Sequence, residues 1–286
     1  MAAGDLTYTN HDGTVVSLNN GGTLFQQHRP RGWFHSTHEP VRLNTMLKVM
    51  DSVFMFNVMK PRTISTTLDV RGTPDAVLRH ISDVIDVLRV DIVDDERGVL
   101  TYTDLNGLTR ACKVVVDSIE PLTDWVHEFL GLPTRLYVPL TFIADDPSVY
   151  NPQSVIPTPT TFNGVNPVTQ SCANAGNVDT YPRFLFTGVL VNPVVTDQNG
   201  DFWEVEITMV AGDTLEIDTD PLFPSIIYTP IATGVPVSRI MSLSVTSTPN
   251  LVVTPGTHNL TFTADATSVA TIDTEFESRY FAHGKS

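Results

Sequence analysis

A chain of 286 residues, 41% of them apolar, can bury two ordinary cores. Its formal charge of −15 argues against a nucleic-acid binder, which needs a basic face to displace counterions from phosphate. Residues 151–286 hold four basic side chains against thirteen acidic ones, a net of −9, which leaves −6 for residues 1–150. No run of about 18 apolar residues predicts a membrane span, and the opening MAAGDLTYTNHDG has no basic-then-apolar export pattern, so assembly in a cytoplasm is expected. Two cysteines, Cys112 and Cys172, fit no metal spacing, and a structural disulfide is not expected in a reducing compartment. Cys112, within the apolar run ACKVVV, reads as a buried small hydrophobe rather than a nucleophile.

Turn formers punctuate the first forty residues in NHDGT, NNGGT and RPRG, and they predict short paired strands at Thr14–Leu18 and Thr23–Gln27. The Met- and Phe-rich stretch MLKVMDSVFMFNVM leaves helix and strand both open, while TISTTLDV after it reads as strand. A helix over about residues 74–90 is predicted by Thr73 as cap, Pro74 at the first helical position and Asp75 at the positive end of the dipole. Val77, Ile81, Val84 or Ile85, and Leu88 then form one apolar stripe, with His80, Asp83, Asp86 and Arg89 mainly opposite. RGVLTYTDLNGLTRACKVVVDSIEP reads as a hairpin turning at Asn106-Gly107, and RLYVPLTFIADDPSVYNP as a further strand.

Residues 151–176 carry four prolines and few large hydrophobes, the composition of an extended connector. Beyond them RFLFTGV, PVVTDQNGDFWEVEITMV, DTLEIDTD, VSRIMSLSV, NLVVTPGTHNLTFTA and ATIDTEFESRYF predict closely spaced short strands and hence a β-sandwich. Pro182 marks a strand entry, where its missing N–H removes no ladder bond. Leu215, Ile217, Leu260 and Phe262 are expected to face the core. The expected architecture is mainly β: residues 1–150 with one packed helix, a linker at 151–176, and a sandwich at 177–286.

YPRFLFTGVLVNPVVTDQNGDFWEVEITMVAGDTLEIDTD, followed by PGTHNLTFTA and a closing FESRYF, resembles the C-terminal half of siphophage distal tail proteins. The matching elements are Tyr181-Pro182, Gly188, Asn192-Pro193, Asn199-Gly200, the strand from Gly212-Asp213 to Asp218, Pro255-Gly256 to Phe262, and Arg279-Tyr280. A helix after an Arg-Gly strand and the segment TFIADDPSVY extend the resemblance into the first half, with residues 1–60 matching least. The resemblance implies an N-terminal belt domain that forms a homo-oligomeric ring, typically a hexamer, at the far end of a long flexible tail, and a galectin-like C-terminal sandwich. It further implies a tail-tube protein above, a tail-tip hub or tail-associated protein below, a tape-measure protein near the lumen, and receptor-binding proteins at the periphery of the virion's tail tip.

Candidate site residues were sought on both halves. Trp33, Phe34, Met50, Phe54, Phe56 and Met59 are of interface-forming types and mark an expected oligomer interface in the first half. A metal site at His28, His35, His38 and Glu39 is disfavoured because Pro30, Gly32 and Pro40 oppose the helix that would align them. Asp94-Asp95-Glu96, Asp145-Asp146 and Asp218 with Asp220 read as solvated turns, with an oxygen-ligand cation at the last pair the less favoured alternative. The sequence has no P-loop, no G-x-S-x-G and no H-E-x-x-H, so no catalytic residue, metal or cofactor is expected. The rival expectation is a carbohydrate-binding tail component in which Trp203 stacks on a sugar and Glu204 accepts its hydroxyls. A tail-tip hydrolase is disfavoured because the residues for one are lacking.

Overall fold

The computed structural model describes residues 5–18, 24–26, 42–49, 52–59, 61–71, 73–94, 96–103, 107–119, 135–144, 146, 148–163, 165–248 and 250–280. Two compact units emerge, one of Met1–Val41, Met59–Pro152 and Tyr280–Ser286, the other of Arg42–Val58 and Gln153–Arg279. The protein is mainly β, with one α-helix among the described residues.

In chain order the first half runs β1 (Asp5–Thr9), β2 (Val15–Ser17), β3 (Leu24–Gln26), β4 (Arg42–Val49), β5 (Ser52–Met59), β6 (Arg62–Arg71), α1 (Pro74–Asp94), β7 (Gly98–Thr103), β8 (Thr109–Ile119), β9 (Arg135–Ala144) and β10 (Val149–Tyr150). One sheet takes the order β2–β1–β7–β8–β9–β6–β3, with β10 against β8. β4 and β5 form a two-stranded sheet of their own, which resolves the Met- and Phe-rich stretch as strand. The strands expected at Thr14–Leu18 and Thr23–Gln27 form, but they do not pair with each other. β2 pairs with β1, placing Tyr8 opposite Val16, and β3 pairs with β6, placing Leu24 opposite Val70. The reason is β1, whose buried Leu6 and Tyr8 give β2 a nearer partner across the tight turn in which Asn10 N–H donates to Thr14 O at 3.0 Å.

The helix begins as its cap chemistry predicts, with Val77 N–H donating to Thr73 O at 2.9 Å. Val77, Val84 and Leu88 are buried and Ile81 packs half-buried against the same core. The stripe continues past the expected end at residue 90, because Asp91 lies one step beyond Leu88 and is itself buried, accepting the Tyr8 hydroxyl proton on Oδ2. Gly98 permits this contact. A Cβ there would overlap the Tyr8 hydroxyl and the Asp91 carboxylate. Tyr8 also stacks on Phe142 at 5.7 Å, so one tyrosine ties the sheet to the helix.

The second half continues as β11 (Thr160–Asn163), β12 (Val168–Asn174), β13 (Arg183–Val191), β14 (Val194–Thr196), β15 (Phe202–Glu204), β16 (Thr208–Met209), β17 (Thr214–Asp218), β18 (Ser225–Thr229), β19 (Val237–Ser238), β20 (Gly256–Thr263) and β21 (Ala266–Glu275). One sheet has the order β11–β21–β13–β17–β18–β19, with β16 on β13, and the other β12–β20–β14–β15. Residues 151–176 are therefore not a bare connector. Phe162 of β11 lies opposite Ala270, and all seven residues of β12 pair with β20.

Phe184 and Phe186 from the first of these sheets meet Phe262 from the second edge-on, with centroids 5.7 and 6.1 Å apart. Leu215, Ile217, Leu260 and Phe262 are buried, as their alternation requires. The opposite face of β13 is equally ordered. Thr161, Thr271, Thr187, Thr214 and Thr229 are successive partners across five strands, a row of β-branched hydroxyls on the outer side. Two rows away on the same face Arg183 stands between Asp218 and Glu275 and bonds Glu216 Oε2 at 2.7 Å.

Phe262→Ala removes the ring that joins the two sheets and is expected to cost about 3–5 kcal/mol of stability, read by urea unfolding of the full chain. Val245→Ala, at a side chain 55% exposed, is expected to change it by under about 0.5 kcal/mol. Equal costs for the two would refute the packing described.

Candidate functional site

The expected interface residues fall unevenly on the structure. Trp33, Phe34 and Met50 lie outside the described residues, whereas Phe54, Phe56 and Met59 lie on β5 of the separate hairpin. Each strand of that hairpin is eight residues long. A two-stranded ribbon is marginally stable by itself in water and needs a third partner to cover an apolar face. Among the described residues β4 and β5 hydrogen-bond into neither large sheet.

Trp203 is placed otherwise than the carbohydrate expectation required. It is 0% exposed, sits opposite Val195 on β14, and donates its indole N–H to Thr248 O at 2.8 Å. Both ring faces pack in the core, leaving no platform for a sugar. Alternation had put Phe202 and Trp203 on opposite faces, and the larger, more apolar ring took the inner one. Glu204 is half-buried and its backbone N–H donates to Ser247 Oγ at 3.0 Å, so it serves the sheet edge.

The acidic pairs are organised by backbone donors. Asp218 Oδ1 accepts from Asp220 N–H at 2.9 Å, and Asp220 Oδ1 from Leu222 N–H at 3.0 Å. Asp146 Oδ1 accepts from Ser148 N–H at 2.9 Å. Asp95, Asp145, and the set His28, His35, His38 and Glu39 lie outside the described residues. Among the described residues no group of three or more His, Cys, Asp or Glu side chains is placed to hold a metal. Cys112 and Cys172 are both buried and not joined in a disulfide, and burial pushes the Cys172 thiol up to about 12, far from a thiolate at neutral pH.

Sequence reasoning saw Gly212-Asp213 only as a turn, yet Asp213 organises a surface. Its carboxylate is 1% exposed and accepts from Val210 N–H at 2.8 Å, Tyr228 hydroxyl at 2.6 Å and Ile231 N–H at 2.9 Å. Gly212, at φ +89°, abuts the Ile231 side chain where any Cβ would clash. Two otherwise separate loops are thus fixed by one carboxylate. They carry Val210 and Ile231, 57% and 62% exposed, and the chain continues through exposed Val235, Val237, Met241 and Val245. Burial pushes the Asp213 carboxyl up, but the Tyr228 hydroxyl and the two backbone N–H groups outweigh it and hold the carboxyl below its ordinary range. The same contact raises the Tyr228 phenol.

No protein-family model and no curated protein matches the chain. Among solved structures, SPP1 Dit (gp 19.1), described as a paradigm of the hub adsorption apparatus in phages infecting Gram-positive bacteria, aligns with 96% of this chain and 98% of its own. The TM-score is 0.57 and the identity 16%. The chain has the fold of SPP1 Dit. The likeness agrees with the resemblance to siphophage distal tail proteins read from the sequence, and it spans both halves.

A carboxyl held low in the folded state contributes stability that is full above its unfolded value, about 4, and is lost as the pH falls toward its folded one. Asp213→Asn is accordingly expected to cost about 1–3 kcal/mol at pH 7. It should also flatten the fall in thermal stability between pH 5 and pH 3. Parallel pH profiles for the two proteins would show that Asp213 does not carry this linkage.

Proposed function

We propose that the chain is a structural, non-enzymatic virion protein of a long flexible phage tail. Copies of it form a ring at the distal tail end, six by the family resemblance, joining the tail-tube protein to the tail-tip hub or tail-associated protein. The tape-measure protein passes near the lumen, and receptor-binding proteins attach at the periphery. The observation that carries this reading is the likeness of fold to a hub adsorption protein along nearly the whole of both chains. The Met- and Phe-rich sequence of the β4–β5 hairpin supports it further, because residues of those types form contacts between copies. The rival reading, a sandwich that grips host-wall glycans, loses its aromatic platform with Trp203 in the core.

Light scattering on a sizing column tests the reading. The expected mass is a multiple of the 31.4 kDa chain, with annular particles in negative stain, and a monomer at every concentration would count against a self-assembling ring. Phe54→Asp combined with Phe56→Asp is expected to abolish that assembly while the near-ultraviolet dichroism of the packed sheets within residues 153–279 persists. A full ring from the double variant would remove the hairpin from the interface.

A further inference from the structure

The tight turn between β1 and β2 carries an arrangement that tail assembly does not use. Asn10 N–H and Thr14 O close the turn, Asn10 Oδ1 accepts from Thr14 N–H at 2.8 Å, and Gly13 adopts φ +82°, so His11 and Asp12 are held at its tip. From there His11 reaches the helix. Its backbone N–H donates to Asp91 Oδ1 at 3.0 Å, and its ring Nδ1 lies 2.6 Å from the same oxygen. Its Nε2 lies 3.2 Å from Asp12 Oδ1. Asp91 is 1% exposed, and its Oδ2 is taken by the Tyr8 hydroxyl. The imidazole side chain is 27% exposed, open enough to exchange a proton with solvent.

We propose that His11 is a pH-sensitive latch, fastening the β1–β2 hairpin to the C-terminal end of α1 while its ring is protonated. Each ring nitrogen faces a carboxylate, and only the imidazolium can donate to both. Tyr8, the titratable group of β1 that bonds Asp91, keeps its proton because burial and the Asp91 contact both raise its phenol, and the strand's other titratable group is Asp5 at its far end. Glu96 and Arg97 are the charged residues of the connector that leads from α1 to Gly98, and Glu96 N–H is engaged by the Asp91 carbonyl at 3.1 Å. Partial burial of the ring opposes its charge, and carboxylate oxygens at 2.6 and 3.2 Å favour it. Loss of the proton leaves Asp91 its Tyr8 and backbone donors and a neutral Nδ1–H, so the ring contact that fastens the hairpin to α1 loses its charge assistance, and the donation to Asp12 ends. The latch therefore holds on the acid side of the ordinary imidazole range, about 6.5, and loosens on the alkaline side.

Hydrogen exchange of the full chain, corrected for intrinsic rates, tests this. Protection of β1, β2 and the last turn of α1 is expected to fall about tenfold between pH 6 and pH 8.5, the equivalent of one pH unit of linkage. His11→Gln, which keeps a donor but cannot titrate, should show equal protection at both values. The same tenfold fall in the variant would overturn the proposal. Should that variant fail to fold, nitrogen NMR of the wild-type ring decides. Both ring nitrogens protonated at pH 6 and one bare at pH 8.5 supports the latch, and a ring already neutral at pH 6 overturns it.

Discussion

The second unit depends on one contact, the edge-on meeting of Phe184 and Phe186 on one sheet with Phe262 on the other. Two sheets hold together only where both present large apolar side chains at a common depth, about 10 Å apart. β13 supplies two such rings two residues apart, and its hydrogen-bonded neighbours must then present apolar residues in register. Leu215 and Ile217 stand opposite Phe186 and Phe184 on β17, and Ile272 opposite Phe186 on β21. The outer rows of threonines and carboxylates follow from the same alternation, since each inward residue fixes its neighbour outward. Trp203 is drawn inward on β15 by this demand for core volume, whatever its suitability as a sugar platform.

An acidic chain has to put its carboxylates somewhere, and three of them are used inside as staples. Asp213 fixes two loops, Asp91 joins a hairpin to a helix, and Asp197, 5% exposed, accepts from Asn199, Asp201 and Val252 N–H groups at 2.7, 3.1 and 3.3 Å. Similar burial has opposite consequences in two of them. Burial raises the Asp197 carboxyl despite its backbone donors, with the Asp201 charge adding to the rise, whereas Asp213 is lowered. The difference is the Tyr228 hydroxyl, a donor at 2.6 Å to Asp213, whereas the Asp197 donors are backbone N–H groups. The carboxylates' work here is to satisfy buried backbone N–H and tyrosine O–H donors.

How much of this the sequence disclosed follows from how strongly each residue's type fixes its place. The helix was legible because Thr73, Pro74 and the apolar stripe all agree, and the inward residues of β17 and β20 because they alternate cleanly. β11 and β12 were not, although β12 alternates inside and out along its whole length. Two of its four inward residues are Gln170 and Asn174, so the apolar period is broken. Gln170 donates to Thr158 O at 2.8 Å, and Asn174 donates to Val178 O and Val253 O at 3.0 Å each. Satisfied amides pack inside as readily as hydrophobes, but they look like loop residues in a sequence. Asp91 did leave a trace, a carboxylate at the next step of an otherwise apolar stripe. Nothing in the sequence pairs it with Tyr8, which is 83 residues away.

The two halves thus solve different physical problems. The second closes a core between two sheets and stiffens its loops with buried carboxylates, so what remains outside is a fixed surface bearing Val210, Ile231 and Val235. Rigid, exposed aliphatic side chains on held loops lose little conformational freedom when covered. The first half leaves β4 and β5 outside its main sheet, and a ribbon of two strands gains most of its stability from whatever completes it. Completion by the same ribbon on a neighbouring copy closes on itself only with rotational symmetry.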